Sequence, residues 1–309
     1  MSARGDSNFM RYVYMGQEGE IIPLGATHII VHESVTVIRT WAFHQHPNIV
    51  EIICHEKVEK IEEWAFYNCP SLRRVIMSGV TIVEQWAFYK CIALTDVECG
   101  KLEIIGEDAF CACNSLESIN LSSARILEAS AFSNCTALMD VKFGSKLERI
   151  GQRAFGNCPS LEQITIPLRD GMVTDDTFGG CAKLMQVDLV EREILRETIT
   201  ALHLEEWRND MNEEMGSINQ ILPTADAGYY NYDEEEEEYA EGEKAQAIRT
   251  WIRSLLGKIM DYKAEHRRLL DEDVVPTLQQ VLPQDIVMNS VLPFLYLPPF
   301  TFEVGDHNN

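Results

Sequence analysis

Cysteines are the residues of this chain with the widest choice of chemistry, and nine of them occur among its 309 residues. Six of the nine recur at intervals of 22 or 23 residues, namely Cys69, Cys91, Cys113, Cys135, Cys158 and Cys181. A cysteine serves as a nucleophile, a metal ligand, a disulfide partner or a small buried apolar side chain. The spacing and the neighbours of these six must decide among the four roles.

The spacing of these cysteines favours packing. Zinc sites usually contain C-x-x-C pairs, which the sequence lacks, since its most closely spaced cysteines form the C-x-C pair Cys111 and Cys113. A catalytic thiol needs its own base, which a column of identical thiols does not have. An odd number of cysteines in a long chain is not typical of a disulfide scaffold. We therefore predict structural packing, with incidental redox sensitivity and metal binding as alternatives.

Histidines are concentrated near the start of the chain, where five fall within 28 residues: His28, His32, His44, His46 and His55. Together with Cys54, the last three could supply the ligands of a zinc site. The alternative is that all five are surface or turn residues. Because no pattern of supporting carboxylates accompanies them, the second interpretation is favoured, and we predict no metal and no cofactor.

A repeat of 22 or 23 residues runs through the chain and must position these side chains. It is marked by seven phenylalanines, Phe43, Phe66, Phe88, Phe110, Phe132, Phe155 and Phe178. Written around each of them, the unit reads Φ-x-x-x-A-F-x-x-C-x-x-L-x-x-Φ-x-Φ, with His46 at the cysteine position of the first copy. The alternating end predicts a short half-buried strand, and the A-F-x-x-C spacing predicts one turn of α- or 3₁₀-helix. Stacked copies bury apolar surface that a single copy cannot.

The stretches "VEKIEEWAFYNCPSLRRVIM", "LEIIGEDAFCACNSLESINL" and "LERIGQRAFGNCPSLEQITI" resemble the BspA-like leucine-rich repeat. The resemblance covers residues 28–190 and implies a recognition scaffold without a shared catalytic residue. We predict an α/β repeat fold: a leucine-rich-repeat solenoid of about seven coils with short strands, followed by a C-terminal α-helical module. The seventh copy has "DDTF" in place of x-A-F, so that coil is expected to be less regular.

Five regions follow from the pattern. We predict an N-terminal β cap over residues 1–27, formed by a hairpin around "GQEGE", and the solenoid over residues 28–190. Residues 191–222 predict a helix that caps the last coil. Residues 223–243 contain five consecutive glutamates and predict a disordered acidic linker, whereas residues 244–309 predict a helical region.

Two rows of the repeat are candidates for binding a partner. Outward-facing positions of the strands form a mostly acidic wall, whose candidate residues are Glu51, Arg73, Arg74, Ile76, Asp96, Glu98, Asn120, Asp140, Lys142, Gln163 and Asp188. A second row holds Trp41, Trp64 and Trp86, each two residues before a phenylalanine. The alternatives are a merely solvated wall and tryptophans that are partly buried between coils. The expected partner is a protein or peptide with a basic or mixed apolar surface.

The C-terminal region offers two further hypotheses. An apolar face on the helix over 248–260 is expected to pair with the acidic helix around 190–222, and a membrane-surface or calmodulin-type helix is the alternative. The run "LPQDIVMNSVLPFLYLP", residues 282–298, looks like the first part of an F-box. That resemblance implies, as an alternative function, an adaptor of a ubiquitin ligase.

The bulk composition excludes several classes of function. A formal net charge of −23 argues against general binding to nucleic acid, which needs a basic surface. The first residues contain no apolar stretch of signal-peptide length, and no run is long enough to span a membrane. We therefore expect a cytoplasmic, intracellular protein in which "RGD" at residues 4–6 is a chance match. The common catalytic motifs are missing, so we predict a non-enzymatic protein; the sequence indicates no particular oligomeric state.

Overall fold

The computed structural model of the protein describes residues 9–174, 176–202, 204–222 and 242–291, together with residue 295. Short strands fill the first part of this range. In chain order they are β1 Arg11–Tyr14, β2 His28–Val31, β3 Val37–Ile38, β4 Glu51–Ile53, β5 Lys60–Ile61, β6 Arg74–Ile76, β7 Ile82–Val83, β8 Asp96–Glu98, β9 Ile104–Ile105, β10 Ser118–Leu121, β11 Ile126–Leu127, β12 Asp140–Phe143, β13 Arg149–Ile150, β14 Gln163–Ile166 and β15 Gln186–Leu189.

All pairs between these strands are parallel, and each strand pairs with its counterpart one coil away. One row of strands forms two sheets, with the orders β1-β2-β4-β6-β8 and β10-β12-β14-β15. The two-residue strands form a third sheet, β3-β5-β7-β9-β11-β13. The chain therefore winds as a solenoid, which confirms the predicted stack of about seven coils.

The register of the strands follows from their alternation of apolar and polar residues. Ile52 lies beside Val75, and both side chains are completely buried. The flanking residues point the other way, because successive side chains of a strand alternate between its faces. Glu51 therefore lies beside Arg74, and Arg74 lies beside Asp96. Each outward position thus becomes a row that runs from coil to coil.

Seven phenylalanines form a continuous column in the interior. Successive ring centroids are 4.9 to 5.8 Å apart, and the planes of successive rings differ by only 1° to 9°. The column consists of Phe43, Phe66, Phe88, Phe110, Phe132, Phe155 and Phe178, each at most 1% exposed. Burying each ring contributes about 2–3 kcal/mol, so this column is a major source of stability.

The turn that carries each phenylalanine is not the helical turn that the sequence predicts. The Tyr67 N–H donates to the Trp64 carbonyl within its own coil at 3.1 Å, whereas the Phe66 N–H donates to the Ala87 carbonyl of the next coil at 2.7 Å. This alternation recurs from coil to coil. A helix would use its N–H groups along its own axis and leave none for the neighbouring coil. The helical prediction for this segment is therefore wrong.

Two residues in each of the first six coils have a left-handed backbone, with φ between 52° and 64°. They stand two residues before and two after the phenylalanine. They are Trp41, Trp64, Trp86, Asp108, Ser130 and Arg153, then Gln45, Asn68, Lys90, Ala112, Asn134 and Asn157. Asparagine tolerates this conformation better than most residues, which explains its recurrence in the second row. Gly180, with φ of 76°, continues that row into the seventh coil.

The predicted N-terminal hairpin is wrong, because β1 and β2 are parallel. A hairpin would reverse the chain, but residues 15–27 return it to the end from which β1 started. Glu20 organises this connection: its carboxylate accepts the Tyr12 hydroxyl at 3.0 Å and the Met15 N–H at 2.9 Å. The start of the chain thus contributes one more parallel strand to the edge of the first sheet.

The seventh coil is less regular, as its sequence predicts. Where the earlier coils have a two-residue strand, the seventh coil has only an isolated β-bridge between Ile150 and Val173. The chain returns to this coil at Lys244, whose completely buried amine donates to the carbonyls of Ala182 at 3.2 Å and Leu184 at 2.9 Å. These two donated hydrogen bonds offset part of the cost of burying an ammonium group.

Helices make up the second part of the described chain. They are α1 Arg192–Ala201, α2 Glu205–Ile221, α3 Glu243–Leu269, α4 Val275–Gln279 and α5 Gln284–Ile286, with π-helical segments at Leu270–Val274 and Val287–Val291. The single helix predicted over 191–222 is thus two helices, and its capping role stays a prediction. The predicted linker lies outside the described residues except for residues 242–243. None of the described helices combines the length and apolarity needed to cross a membrane.

Helices α2 and α3 pair, as their opposite charges predict. Lys258 of α3 forms ion pairs with Asp210 at 2.8 Å and Glu214 at 3.0 Å of α2. The Trp251 indole donates to the Glu214 carbonyl at 2.8 Å, and Leu255 is completely buried. Most of the apolar face of α3 is buried, although Met260 is exposed, and this disfavours the membrane-surface and calmodulin-type alternatives.

Replacement of Ala112 by glycine is expected to stabilise the solenoid by about 0.5–1 kcal/mol, because its φ of 59° costs an alanine energy that glycine avoids. Ala93 is a matched control, since it is also half-exposed in a turn but is not among the positive-φ residues. There, glycine only adds unfolded-state entropy and should destabilise by about 0.5–1 kcal/mol. Urea denaturation measures the free energy of unfolding of both glycine variants. Equal changes of the same sign would contradict the assigned turn geometry.

Candidate functional site

The six repeated thiols all act as hydrogen-bond donors inside the solenoid. Each Sγ lies 3.0 to 3.3 Å from the carbonyl oxygen of a phenylalanine in the preceding coil. The pairs are Cys69–Phe43, Cys91–Phe66, Cys113–Phe88, Cys135–Phe110, Cys158–Phe132 and Cys181–Phe155. The thiol thus fills the narrow turn and links one coil to the one before it.

The environment of the thiols is poorly suited to nucleophilic chemistry. All nine cysteines are buried and none is in a disulfide. Burial raises the pKa of Cys54, Cys99 and Cys111 to about 12, and it holds the pKa of Cys91 and Cys113 well above the usual range. Because the thiolate is the reactive form, these groups are slow nucleophiles at neutral pH.

The histidines near the start of the chain serve separate local roles. His46 Nε2 lies 3.1 Å from the Pro23 carbonyl oxygen, and His55 Nε2 lies 2.9 Å from the His32 carbonyl oxygen. In the part of the chain that the structure describes, no three histidine, cysteine, aspartate or glutamate side chains are grouped as metal ligands. The prediction that all five are surface or turn residues is wrong for two of them, since His46 is buried and His28 lies in β2.

The outward side of β4, β6, β8, β10, β12, β14 and β15 is here called the strand face. All predicted wall residues lie on it except Arg73, which immediately precedes β6 and is exposed. Arg74, Asp96, Glu98, Asn120 and Lys142 are exposed. Glu51, Ile76, Asp140, Gln163 and Asp188 are half-buried.

Arg74 lies at the centre of an ion cluster on the strand face. Its guanidinium is 3.4 Å from the Glu51 carboxylate and 3.0 Å from that of Asp96, and it also pairs with Glu98. Hydrogen bonding to Glu98 and the field of all three carboxylates raise the pKa of Arg74. One cation facing three anions leaves the cluster negative, so this basic residue does not make the wall locally basic.

Farther along the strand face, polar residues also pair across coils. Lys142 lies 3.3 Å from Asp140, and the Gln163 side-chain amide donates to Asp188 at 2.9 Å. Between β8 and β10 the strand row is interrupted, since these two strands belong to different sheets. At this interruption the Cys99 thiol donates to the Asn120 carbonyl at 3.5 Å.

The three predicted tryptophans do form a column, and a second aromatic row accompanies it. Trp41 and Trp64 stack with centroids 5.0 Å apart, and Trp86 lies 4.4 Å from Trp64. The second row, one residue after each phenylalanine, is His44, Tyr67 and Tyr89, with successive centroids 5.2 and 5.1 Å apart.

We name these six side chains the aromatic ledge. Sequence reasoning missed the second row, although its aromatic character in the first three coils was a visible signal. Contacts of 4.6 Å between Trp41 and His44 and of 4.8 Å between Trp64 and Tyr67 join the two rows.

The F-box-like run is described only in part. Its residues 284–286 form α5 and residues 287–291 form a π-helical segment, and most of the remainder lies outside the described residues. The resemblance and the adaptor function that it implies therefore stay predictions.

Coils of this length, with one buried leucine, one phenylalanine and one thiol in register, define a leucine-rich repeat solenoid. The family model described as "BspA type Leucine rich repeat region", in six copies, matches residues 25–125 and 103–200. The chain belongs to this BspA-type family, as its repeat predicts.

Solved structures of bacterial leucine-rich repeat proteins are similar to this chain. One from T. pallidum is 23% identical, with 59% of this chain and 70% of that chain covered and a TM-score of 0.35. One from Bacteroides ovatus is 20% identical, with coverages of 54% and 61% and a TM-score of 0.25. A leucine-rich cell surface protein from Faecalibacterium prausnitzii is 16% identical, with coverages of 53% and 79% and a TM-score of 0.22. A search of the curated proteins finds no match.

Replacement of Cys91 by alanine is expected to lower the free energy of unfolding by about 1–3 kcal/mol, because it removes the hydrogen bond to Phe66 and leaves a small void. Serine retains a donor at the same position and should cost less than alanine. Chemical denaturation of both variants measures the difference. A serine variant less stable than the alanine variant would contradict a stabilising hydrogen bond at this position, because serine also fills more of the void.

Proposed function

We propose that this protein is a non-enzymatic interaction scaffold whose strand face binds a protein or peptide partner. The observation that carries the proposal is the in-register stacking of the strands, which turns each outward position into a continuous row across coils. Leucine-rich repeat proteins bind other proteins in general. The inward positions are buried in the core, so the outward rows are available for recognition.

The charge of the strand face supports a basic partner. The cluster around Arg74 combines one guanidinium with the carboxylates of Glu51, Asp96 and Glu98, and it is partly exposed. Half-buried Ile53 and Ile76 lie side by side next to this cluster. A partner that presents cations around a small apolar patch would complement both features.

The state of the thiols supports the remaining parts of the proposal. Nine free cysteines are compatible with a reducing compartment, which supports our proposal of a cytoplasmic protein. Raised thiol pKa values support a role without covalent catalysis.

Replacement of both Glu98 and Asp140 by lysine is expected to weaken binding of a strand-face partner by about tenfold or more, because two attractive charges become repulsive. Affinity purification with quantitative mass spectrometry of full-length protein and variant identifies the proteins whose recovery depends on this face. Titration of each purified candidate then gives the change in its affinity.

The matched control is the double replacement of Glu33 and Glu59 by lysine, which changes the net charge equally at exposed positions outside the strands. Partners of the strand face should be retained by this control. Equal losses in both variants would mean that net charge alone governs binding, and retention in both would exclude the strand face as the binding surface.

A further inference from the structure

The aromatic ledge exposes parts of its ring faces, although its rings are stacked. The planes of Trp41 and Trp64 are within 6° of parallel and their centroids are 5.0 Å apart. Rings in contact are separated by about 3.5 Å between planes, so these two must also be displaced sideways by about 3.5 Å. Part of each face is therefore left uncovered by its neighbour. Trp41, at the start of the column, is 51% exposed.

The ledge is limited to the first three coils. In the fourth coil Asp108 replaces the tryptophan, and its carboxylate accepts the Trp86 indole N–H at 3.2 Å. In the fifth coil the same two positions hold Ser130 and Ser133. Since these coils fold in the same way without aromatic side chains there, the turn itself does not require them.

Carboxylates line the tryptophan side of the ledge. Glu62 and Glu63 immediately precede Trp64, Glu84 lies two residues before Trp86, and Glu107 immediately precedes Asp108. Of these four glutamates, Glu63 and Glu107 are exposed. Among the described residues, Lys60 is the cation that pairs with this row, 2.6 Å from Glu84. The surface beside the rings therefore has more negative than positive charge.

A cation already lies against one ring of the ledge. The Lys90 ammonium is 5.2 Å from the centroid of Tyr89, within the range of a cation–π contact. This contact lies at the end of the ledge that is farthest from Trp41. It demonstrates that a basic side chain is accommodated on this surface.

From these features we infer that the aromatic ledge binds an arginine-bearing extended segment of a protein partner. A planar guanidinium stacks on an aromatic face and at the same time donates in a fork to a carboxylate, which a compact ammonium does less well. Trp41, which is exposed, and the half-buried rings after it supply the faces, and the exposed Glu63 and Glu107, which adjoin the tryptophan row in sequence, supply carboxylates. This binding surface is additional to the strand face and does not depend on it.

The test uses full-length protein and an acetylated, amidated peptide of four Arg-Ala repeats, in which the arginines share one side of an extended chain. The control peptide has citrulline in place of arginine, which retains the shape but lacks the charge. Calorimetric titration at low ionic strength should give about tenfold tighter binding of the arginine peptide. Equal binding of the two peptides would overturn the inference.

Replacement of Trp41 by alanine should weaken binding of the arginine peptide by about fivefold, and phenylalanine at this position should restore part of the loss. Glu63→Gln should weaken binding as well. The matched control is Ser130→Ala, which changes the same turn position in a coil without the ledge. Thermal unfolding of each variant verifies that the solenoid is folded.

Unchanged binding by folded Trp41→Ala protein would exclude the ledge, as would tighter binding of a neutral glucan hexamer than of the arginine peptide. The strand-face variant with Glu98→Lys and Asp140→Lys should bind the arginine peptide within about twofold of the charge-matched variant with Glu33→Lys and Glu59→Lys, because both change the net charge equally and leave the ledge intact. A loss in that variant alone would assign the peptide to the strand face and overturn the inference.

Discussion

Backbone hydrogen bonding between neighbouring coils is the interaction on which the rest of the structure depends. Both strand rows, apart from the interruption between β8 and β10, and the turn between them bond to the next coil, so the spacing of the coils is fixed on several sides of the interior. That spacing places phenylalanine over phenylalanine at 4.9 to 5.8 Å. Alternate N–H groups are directed out of the coil by residues with a left-handed backbone, a conformation that is unfavourable for residues other than glycine.

The same constraint separates structural from recognition residues. Cysteine fits the turn because it is small and its thiol donates to a carbonyl in the coil before, as the contact of Cys91 with Phe66 illustrates. A group held in this way contributes to stability and is a poor nucleophile. Side chains outside the column, such as Glu98 on the strand face and Trp41 on the aromatic ledge, lie outside the buried core, and the proposed binding functions are assigned to them.

The period, the buried rows and the pairing of the acidic and basic helices could all be predicted, because burial repeats visibly in the sequence. The turn could not be predicted, because a spacing of three between Phe66 and Cys69 fits a helix equally well. Parallel pairing of β1 was missed since short strand patterns do not specify direction. The strand-face residues could be assigned to one side, but the ion cluster of Arg74 depends on neighbours in adjacent coils.

Native-state hydrogen exchange of the phenylalanine amides tests most directly whether the turns bond the coils together. In this account the amide of Phe66, which donates to Ala87 of the next coil, exchanges only when the solenoid unfolds. Its exchange free energy should therefore equal that of Val75, an amide in the parallel strand row. An amide of Phe66 that exchanges through a local opening of much lower free energy, while Val75 stays protected, would contradict the account.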